Sequence, residues 1–107
     1  MNPIQLEIEG TGAIAATQDL VNMEGLTATY ETVGEDSKEG TLAAIASIVG
    51  IAAGTVDLAT RLYNWYTKHQ KADSNQRVEQ VVLVDRHGKR ILMENITLEQ
   101  LKAILEA

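Results

Sequence analysis

The chain has 107 residues, of which 45% are hydrophobic and 22% are charged, and its formal net charge is −6 at pH 7. This length suits one domain with a single hydrophobic core, and the composition is that of a globular protein rather than a disordered one. The absence of cysteine excludes a disulfide framework and thiolate chemistry. We therefore expect a single domain spanning residues 1–107.

The first predicted elements are a strand and a short helix. Apolar and polar residues alternate after Pro3 with the period of two that is typical of a half-buried strand. The apolar members of this pattern are Ile4, Leu6 and Ile8. A turn at Gly10–Gly12 leads into a predicted helix over about 13–23, and Gly25 stands where a helix end favours positive φ.

A second strand is predicted over Leu26–Val33, because threonine, tyrosine and valine favour extended backbone. The polar and acidic segment Gly34–Gly40 follows, and its composition predicts a mobile loop.

The longest predicted element is one helix over Thr41–Lys71. This stretch contains no proline, and its apolar residues recur at spacings of three and four, which predicts a helix roughly 46 Å long. Its second half contains Leu62 and Trp65. We expect these two side chains to be buried against the sheet, together with Leu101 and the apolar residues of Val78–Val84.

One side of this predicted helix carries a small residue at every fourth position, namely Ala46, Gly50 and Gly54. Such spacing lets a second backbone approach closely. Glycine within a helix costs about 0.5–1 kcal/mol relative to alanine, so it needs a packing reason. The neighbour is either the chain's own sheet or a partner's helix. These residues, with Asp57 and Arg61 further along the same side, are therefore candidates for partner binding.

The last third of the chain predicts a β-hairpin and a closing helix. Val78–Asp85 and Arg90–Met93 are strands joined by the tight turn Arg86–Lys89, in which Gly88 can take positive φ. The capping box Thr97–Gln100 then begins a helix with an apolar stripe. The resulting order β-α-β-α-β-β-α predicts an α+β domain, with a small sheet covered by helices and one long central helix.

Three patterns that resemble catalytic or ligand-binding motifs are weak. Gly10–Ala15 matches the G-x-G-x-x-A dinucleotide fingerprint, with Glu31 about 20 residues further on, but a doubly wound fold needs more parallel strands than this chain supplies. His69, Asp85 and His87 lack the further ligand that a metal site needs. No serine stands in a nucleophile elbow. We therefore expect no enzymatic activity, no cofactor and no metal.

Charge is unevenly distributed along the sequence. Residues 1–40 contain eight acidic residues against Lys38 alone, whereas Arg61–Arg90 contains seven basic residues. The two segments are either solvated surfaces or complementary patches that meet between molecules in a head-to-tail homo-oligomer. The candidate contacts in the basic segment are Arg86, Lys89 and Arg90. No aromatic residues are interleaved for base stacking, so nucleic-acid binding is not expected.

The N-terminal sequence MNPIQLEIEG lacks the basic and apolar regions of a secretory signal peptide. Together with the absence of cysteine, this favours a cytoplasmic protein.

Several segments of the sequence follow one another in a distinctive order. An acidic strand and helix come first, then an alanine- and glycine-rich segment that ends in LYNWYTKHQK, and then the hairpin VVLVDRHGKRIL before a leucine-rich helix. This arrangement resembles the effector-associated constant component family, and D-x-x-G-K-R is its most specific string. Members are small bacterial proteins encoded beside variable effectors in NTP-dependent conflict, or immunity, systems. The resemblance implies a non-enzymatic adaptor that couples a protein effector to its activator, and it implies no catalytic residues.

An alternative function is a membrane-active protein that releases its apolar helix, about residues 41–56, into a bilayer on activation. The reason to consider this function is that the apolar run Leu42–Val56 is nearly free of charged residues. The run has only about 16 residues, against the ~20 that are needed to span a bilayer, so a membrane partner is disfavoured.

Overall fold

The computed structural model describes residues 3–33, 42–51, 57–72 and 77–106. Within them the chain is an α+β protein with a five-stranded antiparallel sheet and three α-helices, and the strands lie in the order β2-β3-β1-β4-β5. The elements are β1 (Ile4–Gly10), α1 (Ala13–Val21), β2 (Leu26–Val33), β3 (Leu42–Ile51), α2 (Leu58–Gln70), β4 (Gln80–Val84), β5 (Arg90–Leu92) and α3 (Leu98–Glu106).

The predicted helix over residues 41–71 is wrong in its first half. Leu42–Ile51 forms β3, which pairs with β1 on one side and with β2 on the other, and only Leu58–Gln70 is helical. The order of elements is therefore β-α-β-β-α-β-β-α, with one more strand than expected and without a long central helix. The predicted loop Gly34–Gly40 and residue Gly54 lie outside the described residues.

A β-bulge gives β3 its helix-like pattern. The pairing between β2 and β3 shifts register between Thr27 and Ala28, which leaves Val49 as an extra residue in the ladder. The bulge changes the alternation of side chains, so Ile48 is buried in the core and Ile51, three residues later, also packs against it. Val49 is 58% exposed. A spacing of three between core residues normally indicates a helix, but here the extra residue produces it.

The membrane hypothesis depended on a helix over residues 41–56. Ten of those residues, Leu42–Ile51, lie in a strand inside the sheet. In the part of the chain that the structure describes, no helix has the length and hydropathy to cross a bilayer.

The sheet buries the face on which the helices pack. On β1, Ile4, Leu6 and Ile8 are buried, and the polar residues between them lie on the opposite, open face. One row of the buried face crosses all five strands. That row is Tyr30, Ala46, Leu6, Leu83 and Ile91. Its two ends lie on the outer strands β2 and β5.

The predicted core is confirmed around α2. Leu62, Trp65, Val78 and Leu101 are each at most 4% exposed and belong to one hydrophobic cluster. The Trp65 Nε1–H donates a hydrogen bond of 2.8 Å to the carbonyl oxygen of Ala16. Because this bond joins two helices, α1 and α2 are held together by a polar contact as well as by apolar packing.

The glycine-rich turn before α1 serves a close backbone approach. Gly10 has φ of 140°, and a Cβ at this position would lie 2.5 Å from the carbonyl oxygen of Arg77 and 2.7 Å from the backbone nitrogen of Glu79. The Gly12 N–H donates to the same Arg77 oxygen at 3.0 Å. The close approach gives Gly10 of the apparent dinucleotide fingerprint a packing role, whereas the Gly12 contact is a backbone hydrogen bond that fixes the turn against residue 77.

Ala46 and Gly50 are expected to respond differently to enlargement. Ala46 is fully buried, so Ala46→Leu overpacks the core and should cost about 1–3 kcal/mol of unfolding free energy. A Cβ on Gly50 would meet the Cβ of Thr27 at 3.8 Å, an ordinary contact, so Gly50→Ala should be neutral or stabilise by up to about 1 kcal/mol. Urea denaturation measures both changes. A loss of several kcal/mol for Gly50→Ala would mean that a close neighbour covers this position.

Candidate functional site

The hairpin turn between β4 and β5 is closed by its own backbone and by one carboxylate. The Gly88 N–H donates to the Asp85 carbonyl oxygen and the Asp85 N–H donates to the Lys89 carbonyl oxygen, each at 3.0 Å. Gly88 has φ of 85°, as a three-residue loop with a bulge requires. The Asp85 Oδ1 accepts the N–H groups of Lys89 at 2.9 Å and His87 at 2.8 Å. The Lys89 and His87 hydrogen bonds lower the pKa of Asp85.

Beside this hairpin lies an open groove of about 600 Å³ between β5 and α3, which we name the β5–α3 groove. The hairpin contributes Asp85, Lys89, Arg90, Ile91 and Leu92 to its lining. The remaining lining residues are Asn95, Gln100, Ala103 and Ile104. The groove thus has apolar side chains on both walls and charged side chains at its hairpin end.

The two cations at the hairpin end differ in how they are paired. The Arg90 guanidinium makes a bidentate pair with the Glu7 carboxylate on β1, at 2.5 and 2.6 Å, and the Glu7 hydrogen bond raises the pKa of Arg90. Lys89 is exposed, and no ion pair among the described residues involves its ammonium group. The Asp85 carboxylate lies at the same end of the groove and interacts with the Lys89 charge, so the charges of the hairpin end are balanced.

The backbone of β5 offers hydrogen-bonding groups at the edge of the sheet. In the described part of the chain, β5 pairs with β4 alone. Polar groups of successive residues in an antiparallel strand point alternately toward and away from the neighbour. The Asp85–Lys89 hydrogen bond sets this alternation. It directs the N–H and C=O groups of Ile91 toward β4, whereas those of Arg90 and the N–H of Leu92 point away from it. The C=O of Leu92 belongs to the N-cap of the 3-10 helix Met93–Asn95, which follows β5 directly.

The opposite wall is a helix whose start is fixed locally. The Thr97 N–H donates to the Gln100 Oε1 at 3.0 Å and the Gln100 N–H donates to the Thr97 Oγ1 at 3.1 Å, so the predicted capping box is confirmed. Leu101 and Leu105 anchor α3 in the core. Ile104 is only half-buried, so part of its side chain remains at the groove.

Three of the predicted partner-binding residues lie in one region. Lys89 and Arg90 line the groove, and Arg86 lies in the adjoining turn. Ala46 is fully buried inside the sheet, so it cannot contact a partner. The stripe that linked it to Gly50 existed only on the predicted helix.

The other predicted pair lies at the start of α2. Arg61 pairs with Asp57, with Nε 3.3 Å from Oδ1, and its Nη1 donates to the Glu24 carbonyl oxygen at 3.1 Å. Neither residue lines the groove. The Arg61–Glu24 hydrogen bond joins α2 to the turn before β2, and the Arg61–Asp57 pair stays within the first turn of α2.

Sequence reasoning missed the apolar part of the groove. Ile91 lies in a strand of three residues, and Ile104 belongs to the apolar stripe that was predicted for the closing helix without any role in binding. Ala103 and Asn95 carry no signal on their own. No local pattern signals these positions, because Leu101 and Leu105 are buried and Ile104 is left half-buried only when α3 packs beside the hairpin.

The acidic and basic segments meet within the chain. Asp19 on α1 lies 2.9 Å from the His69 Nε2 and 3.6 Å from the Lys68 Nζ on α2. The Glu7–Arg90 pair likewise joins residues 83 positions apart. Head-to-tail association stays a prediction. Some of the acidic and basic side chains that we expected to form contacts between molecules are paired with each other inside one molecule.

The Asp19 contacts predict a small pH dependence of stability. The hydrogen bond from His69 lowers the pKa of Asp19, and the Lys68 charge acts in the same direction. A lowered pKa stabilises the folded state above the unfolded value of about 3.9, and this contribution is lost as the pH falls through the folded value. Asp19→Asn should therefore cost less than about 1 kcal/mol near pH 5, because exposed pairs are weak.

Thermal unfolding of Asp19→Asn and of the parent across a pH series checks this. The two stabilities should converge as the pH falls below the folded pKa of Asp19. A difference that stays constant down to acid pH would show that the carboxylate charge does not contribute.

Within the described ranges, no group of three or more His, Cys, Asp or Glu side chains is placed to hold a metal ion. Comparison of the chain with models of known families, with curated proteins and with solved structures gives no match.

Proposed function

We propose that the chain is a non-enzymatic interaction module that holds a protein partner at the β5–α3 groove. The observation that carries this proposal is the juxtaposition of a sheet edge, apolar side chains on two walls and a few charged groups in an open groove of about 600 Å³. Apolar contact area with a few placed polar groups is typical of binding sites.

The resemblance to the effector-associated constant component family specifies the setting of this proposal. Its most specific string, D-x-x-G-K-R, spans residues 85–90, which form the hairpin beside the groove. In this setting the chain acts in the bacterial cytoplasm as an adaptor of an NTP-dependent conflict system. Its partner is the effector or the activator encoded beside it.

The test is reconstitution with the proteins encoded by adjacent genes. Each is co-expressed with the full chain, and complexes are measured by size-exclusion chromatography with light scattering. We expect a stable complex with one effector or activator, and no turnover of substrate by the chain alone. The proposal fails if none of these proteins binds the folded chain.

A further inference from the structure

We propose that two copies of the chain pair through β2 in a two-fold dimer, in which their two sheets continue as one. The outer strands of the sheet are β2 and β5, so this contact uses the edge opposite to the β5–α3 groove. The inference does not depend on the proposed function. If both hold, the dimer carries one groove at each end.

The backbone of β2 offers hydrogen-bonding groups along its outer side. In the described part of the chain, β2 pairs with β3 alone. The Asp85–Lys89 hydrogen bond sets which residues point toward each neighbour, and the registers carry this alternation across the sheet. The pairs that face each other are then Val82–Glu7, Leu6–Ala46 and Ile45–Glu31. The N–H and C=O groups of Ala28, Tyr30 and Thr32 therefore point outward.

The edge at β2 lacks the features that usually keep outer strands from pairing between molecules. The strand contains no proline and no basic residue, and Glu31 is its one charged residue. Its register with β3 is regular over residues 28–33, and residues 29–32 are all exposed. A regular, nearly uncharged outer strand is a template for another strand.

A second copy of β2 fits this edge with Tyr30 on the two-fold axis. The outward groups of Tyr30 then meet those of its own copy, and the outward groups of Ala28 meet those of Thr32. Glu31 lies opposite Thr29 of the other copy, and the two Tyr30 rings, each 37% exposed, form a cross-strand pair. All outward groups of residues 28–32 are satisfied in this register.

The neighbouring registers are less favourable. A shift toward Val33 puts Glu31 opposite Glu31, and like charges directly opposite are destabilising. A shift the other way reaches the bulge between Thr27 and Ala28, where the strand is irregular. Two copies of a chain with a net charge of −6 repel each other, but Glu31 is the only charge that β2 contributes.

The helix above β2 enlarges the contact. α1 lies over β2 and β3, and the Gln18 Nε2 donates a hydrogen bond of 3.3 Å to the Tyr30 hydroxyl oxygen. Ile14 and Val21, about one turn from Gln18 on either side, are half-buried. Because adjacent strands lie about 4.8 Å apart, a two-fold axis beside β2 brings the two α1 helices to about 10 Å, a usual packing distance. The dimer thus buries apolar side chains as well as pairing backbone groups.

Sedimentation velocity of the full chain, at up to about 1 mM protein, tests self-association. We expect a monomer–dimer equilibrium without larger species, because a two-fold contact closes at two copies. High salt should not weaken it, because no ion pair joins the copies. A single monomer boundary, or larger oligomers that salt dissociates, would overturn the inference.

Thr32→Pro tests the pairing of the strands. The Thr32 N–H points outward, so proline removes a donor to the other copy and none to β3. We expect a folded monomer, whereas Thr32→Val should still dimerise. A Thr32→Pro variant that dimerises like the parent would place the contact elsewhere and overturn the inference.

Thr29→Lys tests the register through a gain of affinity. It places an ammonium group opposite Glu31 of the other copy, twice in each dimer, so the dissociation constant should fall about two- to tenfold. Gln80→Lys changes the net charge equally at an exposed position on β4 and should have little effect. Weaker dimerisation of Thr29→Lys would mean that the strands pair in another register. Equal strengthening by both variants would mean that only net charge matters, and either result overturns the inference.

Discussion

Leu62→Ala is expected to remove about 2–5 kcal/mol of unfolding free energy. Leu62 is completely buried on α2, in the cluster that joins the helices to the sheet. Truncation removes its apolar contacts and leaves a cavity that close-packed neighbours fill only in part. Urea denaturation gives the loss, provided that the slope of the transition is unchanged.

The matched control is the next residue in the sequence. Tyr63 lies on the same helix and is 40% exposed, so Tyr63→Ala should cost much less than Leu62→Ala. A Leu62→Ala variant that melts within a degree or two of the parent would show that this side of α2 does not pack in the core.

Gly10→Ala is expected to cost at least about 2 kcal/mol, from two sources. A φ of 140° is strained for any residue with a side chain, and the new Cβ would collide with the backbone at Arg77 and Glu79. Both neighbours are main-chain atoms, so neither can move aside as a flexible side chain would. Denaturation of the variant against the parent measures the loss.

Gly88→Ala separates strain from collision. Gly88 also has positive φ, at 85°, but a Cβ there meets nothing within 4 Å. Its replacement should therefore cost only the backbone strain, about 1–2 kcal/mol. Equal losses for Gly10→Ala and Gly88→Ala would mean that the contact between the first turn and residues 77–79 is not close in solution.

Local patterns predicted the elements whose signals depend on near neighbours. The alternation on β1, the composition of β2 and the positive φ of Gly25 and Gly88 all require only a few consecutive residues. The same holds for the Thr97–Gln100 capping box. In each case the backbone and its adjacent side chains determine the structure, so no distant contact is needed to infer it.

The strand β3 could not be predicted in this way because its partners are distant in sequence. It lies between β1 and β2, and a strand in this position contains long apolar runs that a buried helix also contains. The bulge at Val49 then placed Ile48 and Ile51 on the same side, at a helical spacing. The apolar pattern of this segment fits either a helix or a strand, and pairing with β1 and β2 determines that it forms a strand.

The groove was predictable only in its charges. Lys89 and Arg90 stand out in the sequence as part of a basic hairpin, and both line the groove. Ile91 and Ile104 come together only when α3 packs beside the hairpin, which no local pattern reports. The Glu7–Arg90 pair is of the same kind, because its members lie 83 positions apart on β1 and β5.

Amide hydrogen exchange of β5 tests most directly whether a partner protein covers this edge of the β5–α3 groove. In the free chain, the N–H of Ile91 should be protected by β4, whereas those of Arg90 and Leu92 should exchange rapidly because they point outward. Saturation with the partner protein should protect Arg90 and Leu92 and leave Ile91 unchanged. Unaltered exchange at Arg90 and Leu92 in the saturated complex would contradict the proposed binding site, because the partner would then leave the β5 edge of the groove uncovered.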